Sequence, residues 1–318
     1  MTQTTLTRVL PARPGRSRRA RREQRAAYMF LSPWLIGLVI LWLGPIVMSF
    51  IMSFTNWKLV GDVHWVGLKN YHDMVDDYAF WKSIRVTLLY MVLSVPVYMA
   101  AGLGLSLLLN QKLRGMNVFR TLFFIPSVLS GVAVGILWAS LLNPDVGAVN
   151  WLLRQVGVDD PPRWLGDPSW AVPAVVLVGL WTVGGGAIIY LAGLQNIPDQ
   201  LYEAARLDGA GALQRFRFVT WPMLTPTLLF VLLTSMIEAF QVFDLAYVLG
   251  SASGGGGGIG DALRFYLINM WNEGFGNTRM GYASALAWVL IVIASLVILL
   301  IFRTSGRWVY YEYDPDRN

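Results

Sequence analysis

The sequence predicts an all-α, polytopic membrane protein, and three observations carry that expectation. Hydrophobic residues make up 55% of the 318 positions and charged ones only 14%, whereas soluble domains carry about 25%. The apolar residues gather into six stretches of roughly twenty or more, each long enough to cross a hydrocarbon core of about 30 Å at ~1.5 Å per helical residue. Lys and Arg are shared unevenly among the segments between those stretches, as expected when one side of a membrane is cytoplasmic.

The segment 1–27 is polar and holds Arg8, Arg13, Arg16, Arg18, Arg19, Arg21, Arg22 and Arg25. It reads as a cytoplasmic tail attracted to anionic lipid. The apolar run after it is too long for the core of a secretory leader and lacks a clear small-residue cleavage site. The membrane part, 28–302, opens with a first span over 28–54, which Gly44-Pro45 is expected to kink. A loop over 55–81 brings Trp57, Trp65 and Tyr71, side chains suited to an interface. The second span, 83–109, carries Gly102 and Gly104 for close helix contact. After a short basic loop the third span covers 118–142, with Pro126 and Gly131 inside it. The loop 143–169 is too polar to cross. The fourth span, 170–194, contains Gly184-Gly185-Gly186, and a polar segment over 195–222 leads to the fifth span, 223–249. The loop 250–279 holds five consecutive glycines, Gly254 to Gly258, and reads as flexible. No Lys-Ser or Lys-Thr follows them, so they are not a phosphate loop. The sixth span covers 280–302, and a charged tail covers 303–318.

With the N-terminus inside, inner segments hold seventeen Lys and Arg and outer segments seven. Both termini are therefore expected in the cytoplasm, which also puts 195–222 there. Several function classes drop out. There is no cysteine, hence no disulfide framework and no thiol nucleophile. His64 and His72 share one loop and read as solvated residues. The net charge of +6 sits largely in the N-terminal tail and is no nucleic-acid signature. No Gly-x-x-x-x-Gly-Lys-Ser/Thr occurs, so ATP hydrolysis is not expected of this chain.

The segment 195–222 has the pattern of a small helix-turn-helix at the membrane surface. Pro198 suits the first turn of a helix. Leu201, Ala204, Ala205 and Leu207 give that helix an apolar face. Gly209 can take the positive φ that ends it, a second short helix is expected over 213–219, and Pro222 marks the return to lipid. Glu203-Ala204-Ala205, Gly209 and Pro222 fall at the spacing of the EAA loop of ABC-importer permeases, which this stretch resembles; Val219 and Trp221 stand where that family has Ile and Leu. Other pieces resemble the carbohydrate-uptake branch of the family, in the same order. They are Val66-Gly67-Leu68 with Asn70 and Tyr71; Arg120, Phe124-Ile125-Pro126, Trp138, Gly147 and Asn150; Val242-Phe243-Asp244 with Tyr247-Val248-Leu249; and Gly281-Tyr282-Ala283-Ser284-Ala285. The chain looks similar to the larger permease of maltose and glycerol-phosphate importers. It departs where the family commonly has Thr-x-Gly-Gly-Pro, since Gly250-Ser251-Ala252-Ser253 stands there.

The resemblance implies a type I importer fold in the inner (plasma) membrane and a role as half of an ATP-driven pathway for a sugar or related polyol. It implies that Glu203, Ala204, Ala205, Asp208, Gly209 and Pro222 couple the chain to a cytoplasmic ATPase. The implied partners are two such ATPase subunits, a second permease and an external sugar-binding protein. No cofactor is implied for this chain; ATP and Mg²⁺ belong to the partner ATPases.

Ionisable residues within spans are candidate functional residues. Glu238, Gln241, Asp244 and Tyr247 recur every three residues along the fifth span and stay near one face of a continuous helix, a polar stripe suited to sugar hydroxyls. The alternative is that Glu238 or Asp244 pairs with a basic residue such as Arg85, or that Asp244 lies near the outer interface. Trp181 and Tyr190 on the fourth span, and Tyr282 and Ser284 on the sixth, are further candidates for stacking on or bonding to sugar. Asn269, Trp271, Asn272 and Glu273 are candidate contacts for the external protein. An ion-coupled secondary transporter is the alternative function, but it calls for inverted repeats with broken helices, and no clear repeat is present. A membrane enzyme would need a convergent catalytic set.

Overall fold

The computed structural model describes residues 18–58 and 61–310, so most of the basic tail and residues 311–318 lie outside it. Its described elements are helical, apart from one isolated antiparallel bridge between Thr55 and Trp65. The chain divides into two units at residue 53. The first consists of α1 (Arg18–Gly37), a π turn over Leu38–Leu43 and α2 (Gly44–Met52). The helix thus starts inside the basic tail, well before the apolar run. The π turn ends immediately before Gly44-Pro45, which open α2, so proline's missing N–H falls in that helix's first turn.

The second unit starts with the bridged loop and α3 (Lys69–Asp76), a helix inside a segment that reads from sequence as a loop. Then comes α4 (Tyr78–Leu109), the longest helix. Asp77 caps its N-terminus by accepting from the Ala79 N–H at 2.8 Å. At its other end the Arg120 guanidinium donates to the Leu109 carbonyl at 2.9 and 3.2 Å, where a cation also meets the negative end of the helix dipole.

The third and fourth spans are not single helices. Instead, α5 (Met116–Val128) and α6 (Gly131–Leu141) meet at 95°. Pro126 weakens the end of α5, Leu129 and Ser130 are extended, and the Ser130 hydroxyl accepts from the Ala133 N–H to start α6. After α7 (Ala148–Gln155), α8 (Pro168–Leu180) and α9 (Gly184–Gln195) meet at 54°. Asp167 caps α8; its bonds from the Ser169 N–H and hydroxyl hold its carboxyl below the usual range. Among the described residues, four continuous helical runs are long and apolar enough to cross a membrane, and the number rises to six if each bent pair is one span.

Next follow α10 (Asp199–Leu207), α11 (Ala212–Arg215), a π turn over Phe216–Thr220 and α12 (Trp221–Phe240). The fifth span therefore ends at Phe240 rather than running on to Leu249. Its remainder is a separate helix, α13 (Asp244–Ser251). No proline or glycine marks this break. Packing makes it: α13 lies against α6, where Gly131 and Gly135 leave room, and a Cβ on Gly135 would stand 2.9 Å from Val248. The segment from Gly254 onward is not an open flexible loop. It holds a 3₁₀ turn, α14 (Tyr266–Trp271) and a π turn over Asn272–Gly276, followed by α15 (Met280–Ser305). The core lies where α4 and α8 meet this segment. There Ala174, Val175, Val178, Leu263, Phe265 and Ile268 are all fully buried.

Candidate functional site

Two places bring predicted site residues together. The first is the segment between the fourth and fifth spans. Pro198 has extended backbone and precedes α10 instead of opening it. The helix closes as Asp208 and Gly209 N–H groups donate to the Ala204 and Arg206 carbonyls at 3.0 Å, and Ala210 donates to Ala205 at 2.9 Å. Gly209 has φ +78°, which strongly favours glycine. Glu203, Ala204 and Asp208 are exposed, and Ala205 is half-buried. Apolar side chains are exposed beside them: Leu207 at 90%, Leu213 at 79% and Phe218 at 70%. The expected second short helix does not stand alone, because α11, the π turn and α12 run together as one helix, Ala212–Phe240. Pro222 is consequently no boundary. It sits in the first turn of α12, where the preceding π turn gives the proline ring room that a regular α turn would deny it.

The second place is a cavity of about 760 Å³. From the fifth span Ser235, Glu238, Gln241 and Asp244 line it, but not as a stripe on one helix. Gln241 caps the end of α12, Asp244 opens α13, and the turn between them carries both side chains to the lining. Glu238, Gln241 and Asp244 are all exposed there. Neither carboxylate is in an ion pair among the described residues, Arg85 included. Opposite stand Tyr90 and Tyr98 of α4, Thr182, and Tyr190 of α9. The Tyr98 hydroxyl donates to the Val176 carbonyl at 3.1 Å and lies 3.4 Å from that of Tyr90. Two glycines admit these rings: a Cβ on Gly179 would collide with the Tyr98 hydroxyl, and one on Gly102 would press on Tyr190 at 3.2 Å. Tyr190 lines the cavity, and its hydroxyl, itself buried, has no hydrogen-bond partner among the described residues. This lining of phenols, hydroxyls, an amide and carboxylates provides both donors and acceptors, the requirement for a polyhydroxylated guest.

The other predicted residues lie outside this lining. Trp181 packs edge-on against Trp138 at 6.1 Å between ring centroids. Tyr247 stacks on Phe243 at 5.4 Å. Tyr282 is buried, donates to the Asp77 carboxylate at 2.6 Å and has the Arg279 guanidinium over its ring at 4.3 Å. Ser284 lies in the same turn of α15, half-buried. Glu273 and Asn269, expected at an outer surface, are buried. Glu273 accepts from Arg279 at 3.1 Å and from Asn277 at 3.0 Å, and Asn269 accepts from Arg264 at 3.2 Å. Sequence reasoning missed Tyr90, Tyr98, Thr182 and Ser235; their polar groups in the middle of apolar spans were the available signal. No cluster of potential metal ligands occurs among the described residues.

Comparison with known proteins agrees with this geometry. Residues 98–310 match the model of the family "binding-protein-dependent transport system inner membrane component". The chain is 39% identical over 299 residues to a probable ABC transporter permease protein, YesP, of Bacillus subtilis, covering 93% of this chain and 96% of that one. It is 34% identical over 285 residues to MalF, a trehalose/maltose transport system permease protein of Thermococcus litoralis, covering 89% and 95%. Its fold is shared with a crystal structure of a bacterial alginate ABC transporter in complex with an alginate pentasaccharide-bound periplasmic protein. That match has a TM-score of 0.80 at 22% identity and covers 92% of this chain and 98% of that one. The alternative of an ion-coupled transporter is set aside. This multi-pass inner-membrane chain belongs to the binding-protein-dependent transport family, the permease subunits of ABC importers.

Proposed function

We propose that the chain forms half of the translocation pathway for a carbohydrate, and that ATP hydrolysed by separate cytoplasmic subunits drives it. The observation that carries this reading is the 760 Å³ cavity on which Ser235, Glu238, Gln241 and Asp244 converge with Tyr90, Tyr98 and Thr182 among apolar neighbours. Polar groups in a membrane interior are expensive unless something uses them. The trehalose/maltose permease among its relatives supports the choice of sugar, and the alginate transporter supports an external binding protein as partner. A second permease closes the other side of the pathway. The exposed segment around Glu203, Ala204, Ala205, Asp208 and Gly209, with Pro222 at the base of its helix, seats against an ATPase, where ATP and Mg²⁺ are held. Closure of the ATPases displaces this segment and rocks the permeases between inward- and outward-open states.

The test is uptake of a panel of labelled sugars by the complex reconstituted in vesicles with its ATPase, second permease and binding protein. Accumulation of one or more sugars that requires ATP and the binding protein is the expected result. Transport that proceeds without nucleotide, or follows an imposed ion gradient instead, would refute the reading.

A further inference from the structure

We propose that Tyr202 and Thr220 are positioning residues that lock α10 to the long helix leading to the cavity, so that the two move as one body. This rests on the coupling reading above. The Tyr202 hydroxyl and Thr220 Oγ1 are 3.0 Å apart, and Thr220 Oγ1 lies 3.5 Å from the Arg215 carbonyl. A carbonyl only accepts. Both bonds are therefore made together when the phenol donates to Thr220 and Thr220 donates to Arg215. The relay crosses from α10 into the π turn of Phe216–Thr220, where Thr220, the turn's last residue, is buried. Tyr202 packs, with Val219 and Met223, against the buried cluster that includes Leu194, Ile197 and Leu224, which keeps the phenol in place.

The covalent link between the two limbs is Gly209-Ala210-Gly211. Its two glycines resist bending little, so a push on α10 would dissipate there without a cross-tie. Beyond the tie, the unbroken helix Ala212–Phe240 carries displacement to Glu238 and, at its cap, Gln241. Neither Tyr202 nor Thr220 lines that cavity. Their action is on the transmission of movement, and ligand contact is left to others.

The experiment compares Tyr202→Phe, Thr220→Ala and Thr220→Ser in the reconstituted complex, with sugar transport and ATP hydrolysis measured on the same vesicles. In Tyr202→Phe and Thr220→Ala, sugar carried per ATP hydrolysed should fall by about threefold to tenfold, the range set by one net hydrogen bond. Assembly and the KM for sugar should stay as in the parent, and Thr220→Ser should restore the ratio. Unchanged ratios in both loss variants would overturn the proposal, as would a fall in KM-limited transport alone. Failure of both variants to assemble would assign the pair to folding only, and that too overturns it. A parent complex that transports without ATP would instead sink the functional reading itself.

Discussion

The segment around α10 and the segment from Gly254 to Arg279 are both excursions between spans, yet they are built in opposite ways. The segment from Gly254 to Arg279 is packed into the spans around it. Leu263, Phe265 and Ile268 are fully buried. The Tyr266 N–H donates to Thr87 at 2.9 Å and its hydroxyl to the Leu286 carbonyl at 2.9 Å. Its charges are met locally, Arg264 by Asp261 at 3.0 Å and Arg279 by Glu273 at 3.1 Å. The segment around α10 leaves Leu207, Leu213 and Phe218 mostly exposed. Burying such a side chain is worth about 1.5–3 kcal/mol, and folding of this chain does not collect it. An apolar surface left that exposed fits the docking role proposed above for this segment. The segment from Gly254 to Arg279, by contrast, gives its stability to the fold.

The largest test of this contrast is Gly209→Val. A β-branched residue at φ +78° is strained by about 1–2 kcal/mol or more. Sugar uptake should drop to background while the permease stays in the membrane at parental amounts; normal uptake would break the comparison at its α10 end. Next in size are Gln241→Ala and Asp244→Ala. Each should lower uptake by about tenfold or more, since a guest's polar groups would lose their hydrogen-bond partners, and co-purification of the ATPases should be unchanged. Glu273→Ala examines the other end. It strips Arg279 of its carboxylate and should destabilise the protein by about 1–3 kcal/mol, read as a lower thermal midpoint in detergent. Leu213→Ser should leave that midpoint within about 0.5 kcal/mol of the parent while loosening the ATPases, a separation that an ordinary folded surface would not give. Smallest is Lys112→Ala, which removes a 3.9 Å pair with Asp199 between two exposed side chains. Its effect on stability should lie below about 1 kcal/mol.

Much of this plan was legible beforehand. Six apolar stretches and the turn at Gly209 follow from residue types counted along the chain. So does Glu238 as a polar group within a span. Composition also placed Asp244 and Gln241 among the candidates, but through a helix that does not exist: the spacing argument assumed continuity past Phe240. Trp181, Tyr247, Tyr282 and Ser284 were chosen because aromatic and hydroxyl groups suit sugars. Packing turns three of them elsewhere, to Trp138, to Phe243 and to Asp77, and leaves Ser284 in the turn next to that last pair.

The sequence by itself determined which segments enter lipid and which stay in water, because transfer free energy sums over about twenty side chains irrespective of their neighbours. Only the tertiary structure decided where those segments bend. A break at Leu129, at Trp181 or after Phe240 gives up backbone hydrogen bonds, and a membrane tolerates that only where other chain segments shelter the freed groups. Close approach at Gly131, Gly135 and Gly179 supplies that shelter. It is these bends, invisible to any count of hydrophobic residues, that set Tyr190 and Asp244 in one cavity with Tyr98 of α4 and Glu238 of α12.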